Sequence, residues 1–150
     1  MMDFIGPIKA LCNIGISPEE ITDLIITHTH RDHIECAEYF KNAVIYIQKD
    51  EYEAGKGYFS EALTVCTFEE KMLICDDIKA AKIGGHSNGS PIVEIMEDER
   101  RYIIAGDECY LRECLTKQIS TGMAYDPPKS RAFIQKYGRG EYTVLLCHDE

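Results

Sequence analysis

The chain has 150 residues, 45% of them apolar and 28% charged, which suits one domain with its own hydrophobic core; no linker, repeat or low-complexity stretch marks a second. Sixteen Lys and Arg against 26 Asp and Glu give a net charge of −10, a field that repels phosphate backbones and anionic membrane surfaces, so the expected partner is a small-molecule substrate, not nucleic acid or membrane. No apolar run has membrane-span length, the opening Met-Met-Asp-Phe-Ile-Gly-Pro lacks a secretory signal's basic start, and seven cysteines without a Cys-x-x-Cys pair argue against a disulfide framework, so the reading is a cytoplasmic protein whose cysteines are mostly small buried residues.

In chain order, Ser17-Pro18-Glu19-Glu20 is a helix start: Ser17 caps, Pro18 takes the first helical position, and Glu20 closes a capping box on a helix expected to reach about Asp23. Leu24-Ile25-Ile26-Thr27 then reads as a strand buried on both faces. Ile34 to Phe40 reads as a helix, Ala43 to Ile47 as a strand, and Lys49 to about Leu63 as a mostly polar helix with a solvated start at Lys49 to Glu53. Met72 to Asp76, Ile78 to Ile83, Pro91 to Met96 and Tyr102 to Ala105 are short Ile- and Val-rich runs, hence four strands, the last two joined by the polar turn Glu97-Asp98-Glu99-Arg100 and therefore antiparallel. A helix from about Tyr110 to Lys117, a loop through Gly122 and Asp126, a helix opened by Pro127-Pro128 and ending near Gly138, and a strand from Tyr142 to Leu146 complete the chain.

All five histidines fall at three places: His28-Thr29-His30-Arg31-Asp32-His33 after the first strand, Gly84-Gly85-His86-Ser87, and Cys147-His148-Asp149. Neutral imidazole and carboxylate are good ligands for zinc and similar divalent ions, and donors this dense beside a buried strand need a reason beyond packing. Alternate donors in an extended loop point the same way, so His28 and His30 can converge on one ion while Asp32 and His33 turn toward a second. The same alternation sends Cys147 away from His148 and outside the site, and Arg31 to the surface.

His-x-His-x-Asp-His, then Gly85-His86-Ser87, then Gly106-Asp107, then the late His148, in this order, resemble the metallo-β-lactamase superfamily over nearly the whole chain. The resemblance implies a mixed α/β fold, an αββα sandwich lacking several N-terminal strands. It implies two divalent metal ions, zinc foremost with iron or manganese accepted: His28, His30 and His86 on the first, Asp32, His33 and His148 on the second, Asp107 bridging. A hydroxide between the ions would attack a lactone, ester or thioester, with Asp32 carrying the proton to the leaving group. Tyr110, three residues after Asp107, matches a tyrosine of the acyl-homoserine lactonases and would steady the oxyanion, beside the plainer reading of a ring in the core. Thr27-His28 suits the glyoxalase II branch and its thioester equally. Only 27 residues precede His28 and two follow His148, so the domain reads as partial, and an unpaired sheet edge suited to a homodimer is expected.

Two rival readings stand beside this one. Gly85-His86-Ser87-Asn88-Gly89 also satisfies Gly-x-Ser-x-Gly, with Ser87, Asp107 and His148 in the order of a serine-hydrolase triad. It requires a helix directly after Ser87, where the pattern reads strand, and leaves the first histidine cluster idle. The other is a metal-binding but catalytically silent domain.

Overall fold

The computed structural model describes residues 5–148. The described residues open with a helix the pattern did not announce, α1 (Pro7–Asn13), with a proline in its first turn. The capping box then forms, the Ser17 backbone N–H donating to the Glu20 carboxylate at 2.8 Å, but it caps only a 3-10 turn, Pro18–Glu20, and the expected helix to Asp23 is absent. Its place is taken by β1 (Asp23–Ile26), because Ile21, Thr22 and the residues after them favour extended backbone.

β1 pairs in parallel with β2 (Val44–Gln48), and β2 in parallel with β3 (Thr64–Phe68), a strand the sequence reading passed over. Parallel neighbours need crossover connections, here α2 (Arg31–Ile34) with a 3-10 turn at Ala37–Tyr39, and α3 (Lys49–Ala54) with a 3-10 turn at Lys56–Tyr58. Each crossover was expected as one helix and is two short ones. β1 lies at the sheet edge, and only Ile26 of its four residues is buried, so it is not the doubly covered strand its composition suggests. The unpaired edge was expected, and α1 stands near it: Pro7, Leu11, Ile14, Leu24 and Phe40 line an open apolar cavity of about 530 Å³.

The second sheet runs β4 (Lys71–Cys75), β5 (Ile78–Lys82), β6 (Pro91–Glu97), β7 (Arg100–Ile104) and β8 (Thr143–Leu145), antiparallel until the parallel β7–β8 pair. The four middle strands and the turn at Asp98 are those the pattern predicts. α4 (Arg112–Lys117) and α5 (Pro127–Tyr137) follow, the latter capped by Asp126, whose carboxylate accepts from Lys129 N at 3.2 Å. Tyr110 precedes α4 and does not begin it.

Each sheet buries one face against its own helices. Ile92, Ile103 and Val144 pack with Leu115, Phe133 and Ile134, while Ile45 and Ile47 pack with Ile26, Ile34 and Ala37. Each such aliphatic or aromatic side chain contributes about 1.5–3 kcal/mol. All seven cysteines are free, but only Cys109 and Cys114 are buried, against the expectation for most of them. Among the described residues no helix is long and apolar enough to cross a membrane.

The parallel β7–β8 pair, with Ile104 opposite Leu145, carries two chain segments to the same rim, Asp107 beyond one and His148 beyond the other. The end of β1 brings the first histidine cluster there, and the loop from β5 to β6 brings His86.

Candidate metal centre

After Ile26 the chain runs extended through His28 to His30, and α2 begins at Arg31 with His30 as its N-cap residue. The cluster is therefore only half an extended loop. Asp32 and His33 stand on the first helical turn, and that turn, rather than strand alternation, separates them from His28 and His30. Arg31 points to solvent as expected, 85% exposed and paired with Glu35 at 3.4 Å.

Asp107 is buried at the centre and divides the donors between its two oxygens. His28 Nε2 and His86 Nε2 lie 3.5 and 3.4 Å from Oδ2, and His86 Nε2 lies 3.0 Å from His30 Nδ1. His33 Nε2 and His148 Nε2 lie 3.2 and 3.3 Å from Oδ1. The structure thus brings together His28, His30, His86 and Asp107 in one set, and His33, His148 and Asp107 with Cys147 in another, the donor atoms of each set within 4.8 Å of one another. Asp32 borders the second set, its Oδ2 3.4 Å from His33 Nε2 and 4.0 Å from His148 Nε2.

These residues fit divalent ions. A tetrahedral centre with bonds of about 2.0–2.2 Å to nitrogen and oxygen holds its donors roughly 3.3 Å apart, and the closest donor pairs here lie 3.0 to 3.5 Å apart within sets no wider than 4.8 Å. His28 Nε2 and His33 Nε2 are buried and, though 3.5 and 3.2 Å from the Asp107 carboxylate, make no aligned hydrogen bond among the described residues, a cost that a ligand would remove. His28 Nδ1 has Thr27 Oγ1 at 3.3 Å, which suits a ring protonated at Nδ1 with its Nε2 lone pair turned to the centre.

The charges agree with ligation. Burial alone would raise the Asp107 carboxyl, but the His28 and His33 rings crowded against it and the Cys147 thiol hold it far below the usual carboxylate range. Burial, followed by the neighbouring His28, lowers His86 to about 4, so it is a neutral ligand at pH 7. Burial works against His33 as well, but the close contact and charge of Asp107 leave it raised.

A pH test follows for the chelated protein. An unfolded His86 takes its proton near 6.5 and the folded one near 4, so between those values the unfolded chain binds more protons and stability falls as pH falls. His33, raised, already contributes fully below 6.5, and Asp107 adds its loss only below the ordinary carboxylate value of 3.8. Urea midpoints should drop between pH 6.5 and 4.5, and less in His86→Gln. An equal drop in the variant would contradict the assignment.

Two acidic residues that sequence reasoning missed hold these loops together. Glu51, expected on a solvated helix start, is 3% exposed. Gln48 N-caps α3 through its side-chain oxygen, and the turn it fixes sends Glu51 inward. Its Oε2 accepts from Thr29 N at 3.1 Å and Thr29 Oγ1 at 3.3 Å, its Oε1 from Ser87 Oγ at 2.6 Å and Gly89 N at 2.9 Å. Glu108, fully buried, accepts from Gly85 N at 2.9 Å, His86 N at 3.1 Å and Ser90 Oγ. Burial outweighs those bonds and raises its carboxyl. The only sequence signal for either was an acid where nothing required one. Gly85 permits this approach, since a Cβ there would stand 2.8 Å from Ser130 N; Gly106 takes φ +51 to set Asp107 against the strand end.

Ser87 gives its hydroxyl proton to Glu51, not to an imidazole, and no helix follows it before β6 begins at Pro91, so the serine-triad reading fails. Cys147, expected to face away, donates its thiol to Asp107 Oδ1 at 3.0 Å. Partial desolvation of the sulfur, in a residue otherwise exposed, and the bond and charge of Asp107 push that thiol up to about 12. Tyr110 OH lies 3.1 Å from His86 Nδ1, and its ring stands 5.6 Å from those of both His86 and His148. Burial and the Asp107 charge raise its pKa and keep the phenol neutral. An open cavity of about 410 Å³ elsewhere, at Leu73, Lys79, Glu94, Met96 and Arg101, is lined by none of the donors.

Comparison with known proteins agrees with this geometry. Residues 2–129 match the Metallo-beta-lactamase superfamily. A probable metallo-hydrolase of Methanocaldococcus jannaschii is 29% identical over 95% of this chain and 64% of its own length. The N-acyl homoserine lactonase AiiB of Agrobacterium fabrum is 22% identical over 94% of this chain and 61% of its own. A solved N-acyl homoserine lactone hydrolase, with the product N-hexanoyl-L-homoserine at its catalytic metal centre, superposes with a TM-score of 0.80 at 21% identity, over 95% of this chain and 61% of that one. The chain therefore spans less than two thirds of the length of each of these three relatives.

Proposed function

The chain belongs to the metallo-β-lactamase superfamily, and from that premise we propose that it is a binuclear metallohydrolase whose substrate is a lactone, with an N-acyl homoserine lactone the first to try. The observation that supports this most is the division of Asp107, one oxygen toward His28 and His86 and the other toward His33 and His148. That is how a carboxylate shared by two cations is presented. His28, His30, His86 and Asp107 would hold the first ion, and Asp107, His33 and His148 with Asp32 beside them the second. Zinc is the favoured identity, because imidazole-rich sets with one carboxylate suit it. When bound, the pair would lower the pKa of water and polarise the carbonyl under attack.

The chain's own residues supply the rest. With Nε2 committed to the centre, His86 donates its Nδ1 proton to Tyr110, whose hydroxyl proton is then free to point at substrate. A neutral phenol in that place donates to the oxyanion as the ring oxygen is released. Asp32, 64% exposed at the rim and close to His33, is placed to carry a proton to the leaving alkoxide. The lactonase names among the relatives support this substrate class over a glutathione thioester.

The test is hydrolysis of N-hexanoyl homoserine lactone by metal-loaded protein, followed by acid release. Turnover lost to a chelator and restored by zinc is expected, and Tyr110→Phe should lower kcat by about 10- to 100-fold with metal content unchanged. Stoichiometric metal without turnover of any lactone, ester or thioester would instead make this a silent metal-binding domain.

A further inference from the structure

Gly85 and His86 are held on every backbone polar group they have. Asp126 N donates to Gly85 O at 2.9 Å and Tyr125 N to His86 O at 3.2 Å, so the entrance to α5 fixes the two carbonyls. Both N–H groups turn the other way, to the single oxygen Glu108 Oε1, at 2.9 Å from Gly85 and 3.1 Å from His86. Ser90 Oγ donates to that same oxygen and accepts from Ser87 N at 3.1 Å, which ties the chain beyond His86 to the same point. Glu108 Oε2 receives nothing. It is buried without a hydrogen-bond partner among the described residues, as is Ser130 Oγ, and a Cβ on Gly85 would press on both this oxygen and the Ser130 backbone. Glu51 is the contrast: each of its two oxygens accepts from two donors.

We propose that Glu108 is a positioning residue that sets His86 for the first ion through one oxygen, so that the reach of its side chain matters and its charge does not. The inference rests on the metal-centre reading above and adds to it. His86 belongs to the first donor set and not to the second, so a shift of its loop falls on one ion. Without Oε1, two N–H groups and a hydroxyl lose their acceptor in a buried place, and the loop must move to find another. Glutamine carries the same carbonyl at the same reach. Its amide nitrogen would replace Oε2, where no donor stands, and Ser130 Oγ can accept from it. Aspartate keeps the charge but is one methylene too short. At Glu51 the exchange for glutamine sets an amide nitrogen against two donors whichever way it turns, so the same substitution should be tolerated at one acid and not at the other.

Zinc competition with a chromogenic chelator, resolving the two ions, gives the test. In Glu108→Gln both ions should bind within about twofold of wild type, whereas Glu108→Ala and Glu108→Asp should weaken the first about tenfold and the second by less than about twofold. Glu51→Gln should weaken the first by at least about threefold. Native-state hydrogen exchange on the metal-free wild type needs no variant: the Gly85 and His86 amides should exchange as slowly as those of β6. Glutamine at 108 as weak as alanine, aspartate as good as wild type, equal loss of both ions in Glu108→Ala, or Gly85 and His86 amides exchanging like those of an open loop overturns the positioning role and leaves the metal centre standing. A wild-type protein that takes up no zinc overturns the metal-centre reading and this inference with it.

Discussion

Replacing Asp107 with alanine should empty both ion sets at once. Four imidazoles approach this one carboxylate within 3.5 Å, and its two oxygens serve separate groups, so no single histidine substitution matches it. Removing it takes the shared anion from both sets and leaves four imidazoles to bind cations without a compensating charge. Elemental analysis should fall from two equivalents toward none, and lactone turnover by at least about a thousand-fold, or roughly 4 kcal/mol of barrier. His148→Ala should spare the first ion. A variant lacking Asp107 that still holds two ions would remove the basis of the bridging assignment.

Glu51→Ala should be the most damaging substitution outside the donor sets. Its carboxylate receives four donors, two from Thr29 between His28 and His30, and two from Ser87 and Gly89 beyond His86. It ties together loops that lie far apart in sequence and carry the ligands of one set. Alanine leaves those donors unsatisfied in a buried place, at about 3–5 kcal/mol of stability. Metal affinity should fall about 10- to 100-fold as His30 and His86 lose their fixed separation. Denaturant unfolding and metal competition measure the two effects separately. An unchanged unfolding midpoint would show that the clamp contributes nothing.

How far the sequence reached differs from element to element. The pattern announced β5, β6 and their hairpin with β7, because Ile- and Val-rich runs between polar turns have few alternatives. It missed β3, since Thr64-Val65-Cys66-Thr67-Phe68 carries a weak hydrophobic signal and is held as a strand by pairing with β2. It overextended the crossover helices, which break where the chain must return to a parallel partner. For the site, the histidines and acids were legible because ligand chemistry belongs to residue types. Glu51 and Cys147 were misplaced because local rules, a polar helix start in one case and strand alternation in the other, gave way to contacts from 22 to 40 residues away.

The sequence by itself determined which atoms are available: imidazole nitrogens and carboxylate oxygens at the ends of short strands, in an order that resembles one superfamily. Tertiary structure alone decided how they are shared. That the two oxygens of Asp107 face opposite groups, that a sulfur stands beside one of them, and that buried Glu51 and Glu108 pin the loops all depend on segments meeting at one rim. Ligand identity is a property of a side chain. A spacing of about 3.3 Å between donors from four separate stretches exists only once the sheets are formed and the backbones have closed on each other.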